Sequence, residues 1–329
     1  MFNSEKDYLG AWFDVRRALG VDDTILIGRV DISQNAVEWH EYRHADYDGV
    51  GALAHFLQHI GYGRQVLPKS KFSAPQTLAE KTQLTLNPAG RHKPASVRWK
   101  SITHFQHNPN QPPKTADIAW RVLSPEQSKS IDVAAKNAGV SVNSFFHWAL
   151  HQASLLLMDG VEEVSWFYPV NLRGAFSKQD TYANHSAGLY CNLPADATPQ
   201  QVHLLLSEQL KRKSHWGLVY QAQFGALLGK RFMSRVLKAN LKNGRYAGSL
   251  SVLGNWPNTL NESDQREKLA REAILICAPG SPSYPISTGI IRWGDRYTLC
   301  LKLNPVLQNN AYSADAVLEQ WQSRLLPLS

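Results

Sequence analysis

The chain has 329 residues, 43% of them hydrophobic and 19% charged, and a net charge of +8. That length buries one large core or two ordinary ones, and that balance excludes a disordered chain. No run approaches the ~20 apolar residues of a transmembrane helix, and three dispersed cysteines, Cys191, Cys277 and Cys300, argue against a disulfide framework or a cysteine zinc site.

The opening MFNSEKDYLG lacks the charged head and apolar centre of a signal peptide, so a cytoplasmic protein is expected. TILIGRVDIS and AVEWHEYRH read as two strands joined at Ser33–Asn35, because apolar residues alternate and β-branched and aromatic side chains are plentiful. GVGALAHFLQHIG reads as a helix closed by Gly61. Residues 68–116, rich in proline, lysine, histidine and asparagine, read as a long irregular connection with at most a strand or two. DIAWRVL is a strand. Ser124, Pro125 and Gln127 form a helix-start signature for a helix ending at Gly139, and a second helix spans Val142 to Met158. VSWFYPVNL and HSAGLYCNL are strands, and residues 199–215 and 220–243 are helical. ILICAPG, ISTGIIRWG and RYTLCLKLN are strands, the last two joined at Gly294–Asp295, and SADAVLEQWQSRLL is a terminal amphipathic helix. Strands and helices alternate but the tail carries hairpins, so mixed sheets are expected.

Two segments hold the charge excess. Nine Lys/Arg between Arg64 and Lys114 meet one acid, Glu80, and nine more between Lys211 and Arg245 meet none. Such blocks suit a phosphorylated cofactor, an acidic carrier protein, a membrane surface or nucleic acid, or are simply solvated faces. At helical spacing Arg231, Arg235, Lys238 and Lys242 share one face, with Phe232, Met233, Val236 and Leu237 opposite. A core-packed helix with a basic outer face fits this pattern, as does contact with an anionic bilayer surface. Aromatic residues are not interleaved with the basic ones, so no nucleic-acid partner is expected.

The stretch EYRHADYDGVGAL holds the densest candidate chemistry. Gly49-Val-Gly51-Ala-Leu-Ala54 matches a dinucleotide-binding turn, but that turn needs an acid about 20 residues on, where this chain has Lys69, Ser70 and Lys71. His44, Asp48 and Gly49 form HxxxDG at a strand exit. There His44 could serve as general base and Asp48 could fix the loop; the bland alternative is a surface histidine before a helix-capping aspartate. A second cluster, YPVNLRGAFSKQDTYANHSAGLY, ends a strand at Asn171-Leu-Arg173-Gly174, and Arg173 could pair with a buried Asp48. His55/His59 and His147/His151 have metal-compatible spacing but no third ligand, so no metal site is expected. GxSxG and Walker A sequences are absent.

Together RHADYDG, PVNLRG, NHSAG, the helix pair from Leu123 and the late SLSVLGNWP resemble the superfamily of chloramphenicol acetyltransferase, peptide-synthetase condensation domains and plant-type acyltransferases that share HxxxD. SLSVLGNWP sits where the plant-type enzymes carry DFGWG, and the resemblance spans most of residues 25–325. It implies an α/β (α+β) two-lobed sandwich with mixed sheets, one lobe at 1–163 carrying HxxxDG and one at 164–329 carrying the NLRG and GNWP loops. Two departures stand out: Arg43 replaces the first histidine of HHxxxDG, and only 43 residues precede His44, which implies a shortened N-terminal lobe.

The resemblance further implies an acyltransferase in which His44 deprotonates a hydroxyl or amine acceptor and Asp48 pairs with Arg173 in a structural role. Gly49, Asn171, Asn184, Ser251, Asn255 and Trp256 are the candidates for oxyanion or substrate contacts. The donor would be a thioester of coenzyme A or of carrier-protein phosphopantetheine, with no resident cofactor. The implied partners are a small-molecule acyl acceptor, an acidic acyl carrier protein, a membrane surface and a second copy of the chain. A non-catalytic, condensation-like binding module and a peripheral-membrane lipid acyltransferase are the alternatives.

Overall fold

The structure, a computed structural model, describes residues 8–86, 95, 97–103, 115–175, 181–241, 244–258, 262–307 and 312–326. Helix α1 (Tyr8–Ala18) leads into the hairpin β1 (Thr24–Asp31) and β2 (Ala36–Arg43). Asp31 Oδ1 shapes the turn by accepting from the Ser33 and Gln34 amides, an Asx arrangement that mimics a backbone turn. Strand β1 is central in a three-stranded antiparallel sheet ordered β2-β1-β7, where β7 is Glu272–Cys277. Strand β2 is the edge and exposes alternate residues, whereas all of β7 is buried. Helix α2 (Gly49–His59) covers this sheet with Leu53, Phe56 and Leu57, closing a core that also takes in Ile25, Ile27, Ile274, Ile276 and Trp293.

The larger sheet has six strands in the order β3-β9-β8-β6-β4-β5. These are β3 (Asp117–Val122), β4 (Glu163–Asn171), β5 (Ser186–Pro194), β6 (Gly248–Trp256), β8 (Ile286–Trp293) and β9 (Arg296–Leu303). The β4–β6 and β6–β8 pairs are parallel and the others antiparallel, so this sheet is mixed, as expected. Helices α4 (Pro125–Asn137), α5 (Val142–Ser154), α6 (Pro199–Lys211) and α10 (Ala314–Leu325) contribute to its core. The Ser124–Gln127 capping box is present. Each sheet draws on both sides of residue 163: β7 joins the first, and β3 joins the second.

Several elements differ from the sequence reading. Residues 78–86, expected to be irregular, form α3 (Leu78–Leu86). Its start is encoded by Thr77 and Glu80, whose side chains each accept the other's backbone amide, a capping box the composition of the segment hides. Residues 87–94, 96 and 104–114 of that connection lie outside the described residues. The helix from Val142 stops at Ser154 and continues as one 3₁₀ turn, Leu155–Leu157. The helix expected over 220–243 is α7 (Ser214–Leu228) followed by α8 (Lys230–Asn240), broken at Gly229. Gly229 has φ +90°, a backbone conformation without steric cost only for glycine. Finally, GNWP, expected as a loop, continues strand β6 as far as Trp256, where Asn255 and Trp256 pair with Arg292 and Trp293 of β8. Helix α9 (Glu262–Arg271) precedes β7.

All three cysteines are buried and free. No helix among the described residues is long and apolar enough to cross a membrane, and no group of three or more potential metal ligands occurs among them.

Candidate active site

Strand β2 ends at Arg43, and the chain turns at once. The Asp46 and Tyr47 amides both donate to the Arg43 carbonyl, and Asp48 caps α2 in extended conformation. This turn aims His44 away from the sheet. Its Nδ1 lies 2.9 Å from the Tyr47 carbonyl. A carbonyl only accepts, so Nδ1 carries the proton and Nε2 keeps the lone pair. Asn184 fixes the loop from the other lobe: its Nδ2 donates to the His44 carbonyl at 2.6 Å, while its Oδ1 accepts from the Ser186 amide and hydroxyl. Those acceptor contacts set the amide's orientation. Burial, chiefly, pushes the His44 pKa below its ordinary 6.5, with the nearby Arg16 adding to the effect and the Tyr47 carbonyl opposing it. The ring is therefore neutral at physiological pH, the form a general base requires.

Asp48 faces the other way. Its Oδ1 accepts from the Gly51 amide at 2.7 Å and from Arg173 Nη2 at 2.9 Å, and its Oδ2 accepts from the His185 amide at 2.8 Å. The Asp48 and Arg173 side chains are 5% and 1% exposed. Arg173 also donates to the Thr181 and Ala183 carbonyls and to Asn171 Oδ1. The pair thus ties the start of α2 to the end of β4 and the start of β5. Gly51 belongs to the same junction, because a Cβ there would sit 1.9 Å from the Tyr182 carbonyl oxygen. The second glycine of the GxGxxA match is explained by this close approach, not by a nucleotide.

The two lobes enclose a cavity of about 410 Å³. His44, Asp48, Gly49, Asn171, Asn184 and Ser251 all line it. Asn255 and Trp256 do not. The β6 pairing with β8 shifts register between Val252 and Asn255, which leaves Asn255 exposed and turns Trp256 into the core of the small sheet. Arg173 stands behind the cavity wall, and Ser249 sits one pleat from Ser251 on the lining strand.

The sequence reading missed the helical wall. Leu9, Trp12, Phe13 and Arg16 from α1, with residues of α7 and α8, close one side of the cavity. The Phe13 ring packs edge-on against His44 at 4.9 Å. No pattern in the first 20 residues ties them to His44; only the fold brings them there. On α8 the expected sidedness is present over the described residues: Arg231, Arg235 and Lys238 are exposed, Met233 and Leu237 are buried, and Val236 and Phe232 line the cavity. Lys242 lies outside the described residues. His147 and His151 are buried in the large-sheet core, and His55 packs among Tyr42, Tyr47 and Tyr182.

No model of a known protein family matches the sequence, and no curated protein matches it. Solved structures do resemble the fold. The first condensation domain of the CDA synthetase aligns over 96% of this chain and 70% of its own, with a TM-score of 0.51 and 16% identity. The chain has the two-lobed fold of condensation domains and chloramphenicol acetyltransferase-like proteins. Polyketide synthase associated protein 5 from Mycobacterium tuberculosis aligns with a TM-score of 0.52 and 12% identity over 89% of this chain and 74% of its own. For the epimerization domain from the third module of tyrocidine synthetase B the values are 0.51 and 12% over 88% and 67%. The chain therefore spans between two thirds and three quarters of those structures, and at such identities the likeness is one of fold.

Proposed function

We propose that this protein is an acyltransferase using an HxxxD-type base, with His44 Nε2 accepting the proton of a hydroxyl or amine acceptor. The acceptor attacks the carbonyl of a thioester, carried by coenzyme A or by the phosphopantetheine arm of a carrier protein. The carbon–sulfur bond breaks, and the proton held on His44 passes to the departing thiolate. The observation that carries this reading is the tautomer of His44: its Nδ1 is committed to the Tyr47 carbonyl, leaving Nε2 as the basic nitrogen of a residue that lines the cavity. The Gly49 amide, at the first position of α2, has no partner within the helix and, with the Ser251 hydroxyl, supplies a donor for the tetrahedral oxyanion. Asp48 is architectural, because both its oxygens are committed to protein donors: Gly51, Arg173 and His185.

A second feature favours a lipid-like acyl group. Phe224, Leu227, Leu228 and Phe232 are exposed around the α7–α8 corner, beside Arg231, Arg235 and Lys238. Phe232 is 40% exposed and also lines the cavity, so apolar surface runs from solvent inward. A bilayer surface or an acidic carrier protein would complement this edge.

Free-thiol release from a panel of acyl-coenzyme A thioesters, with and without amine and alcohol acceptors, tests the reading. His44→Ala should lower the rate by about 10²–10⁴-fold with an unchanged melting temperature. Release that survives His44→Ala would overturn the mechanism.

A further inference from the structure

The cavity wall contains a charge the acyl-transfer reading does not use. Arg16, in the last turn of α1, is 8% exposed and lines the cavity together with His44. It is the one lysine or arginine among the described lining residues, and the one lining carboxylate, Asp48, is committed to Arg173, Gly51 and His185. Among the described residues no carboxylate comes within 4.0 Å of the Arg16 guanidinium. Its neighbours are neutral: Nη1 donates to the Tyr284 hydroxyl at 3.3 Å and Nη2 to the Asp22 carbonyl at 3.3 Å. Its Nε is buried and has no partner. The guanidinium also sits 5.7 Å from the centroid of Phe13, the ring that touches His44.

A buried cation without a counter-charge is costly. Its neighbour Arg17 has Asp23 at 3.0 Å, so a partner was available to this stretch of helix and went elsewhere. The two contacts Arg16 does make are long, and its planar fork is suited to two parallel bonds to a carboxylate. Tyr284 adds a donor. Its oxygen accepts from Arg16, so its own proton remains to be given to the same anion.

We infer that Arg16 and Tyr284 form an anion subsite inside the catalytic cavity, and that one substrate carries a carboxylate seated there while its reacting group faces His44. This deepens the acyltransferase reading by naming a substrate class, a carboxylate-bearing acyl group or acceptor. An anion at this position also offsets the Arg16 field that depresses the His44 pKa, so loading the subsite makes the base more basic.

Binding separates this inference from the acyltransferase reading, because it needs no turnover. Phenylacetate, hexanoate and glutarate, each against its uncharged amide, and inorganic phosphate would be titrated calorimetrically into the wild type, His44→Ala, Arg16→Lys and Arg16→Gln. Wild type and His44→Ala should bind at least one carboxylate ~10-fold or more tightly than its amide. Arg16→Gln should lose that preference and Arg16→Lys keep part of it, which also controls for folding. Equal binding of acids and amides by the wild type, or a preference that survives in Arg16→Gln, would overturn the inference. Phosphate binding more tightly than every carboxylate would overturn the carboxylate assignment. A glutaryl- versus butyryl-coenzyme A pair in the thiol-release assay then tells donor from acceptor: an Arg16-dependent preference for glutaryl puts the carboxylate on the acyl group, and no preference puts it on the acceptor.

Discussion

His44 and the pair His147/His151 are three buried or partly buried histidines with opposite surroundings. His44 sits on a five-residue turn between a strand and a helix, one nitrogen held by a carbonyl, and lines a cavity. His147 is packed on Tyr168 and Trp166 with neither ring nitrogen hydrogen-bonded, and His151 is fixed by the Pro194 carbonyl and the Trp166 indole. Burial lowers the pKa of all three. A depressed histidine pKa therefore does not mark a site in this molecule. What distinguishes His44 is that it lines the cavity, which His147 and His151 do not.

The sharpest way to break that contrast is to remove what holds the His44 turn. Arg173→Met leaves Asp48 buried and charged with only two amide partners, and should lower unfolding stability by about 3–5 kcal/mol, read by urea denaturation. A loss of activity with full stability would instead make Arg173 part of the chemistry.

Acidification should act on the core histidines next. Their environment pushes His147 down to about 3 and His151 and His215 to about 4, from 6.5. Below pH 6.5 the unfolded chain binds protons that the folded one refuses. Stability should therefore fall as pH drops from 6.5 toward 4, by at most about 3 kcal/mol per histidine. Urea midpoints at stepped pH check this; a midpoint flat over that window would show that these rings are protonated in the fold.

The smallest effect belongs to His147→Phe. It removes two unpaired buried nitrogens while keeping an aromatic ring, and should raise stability by about 1 kcal/mol with thiol release unchanged. A fall in release would bring this histidine into the function.

Much of this molecule was legible locally. The β1–β2 hairpin, the Ser124 capping box and the buried β7–β9 run follow from side-chain period and turn chemistry, which act over a few residues. HxxxDG and NLRG also announced themselves, because a base, a capping carboxylate and a strand-end arginine need fixed residue types. The start of α3 was equally local, in Thr77 and Glu80, but lay hidden in a proline- and lysine-rich stretch. The path of β6 was not legible: one extra residue between Val252 and Asn255, relative to β8, shifts the register after Ser251 and leaves Asn255 exposed. Nor was Arg16. Its distance from His44 in sequence carries no signal, and its missing counter-charge exists only once α1 has packed against α7 and α8. The sequence by itself determined which residues could do chemistry, because local patterns depend on neighbours in the chain. The tertiary structure decided which of them share a cavity and which charge is left unpaired inside it, because burial and electrostatic neighbours are set by contacts between distant segments.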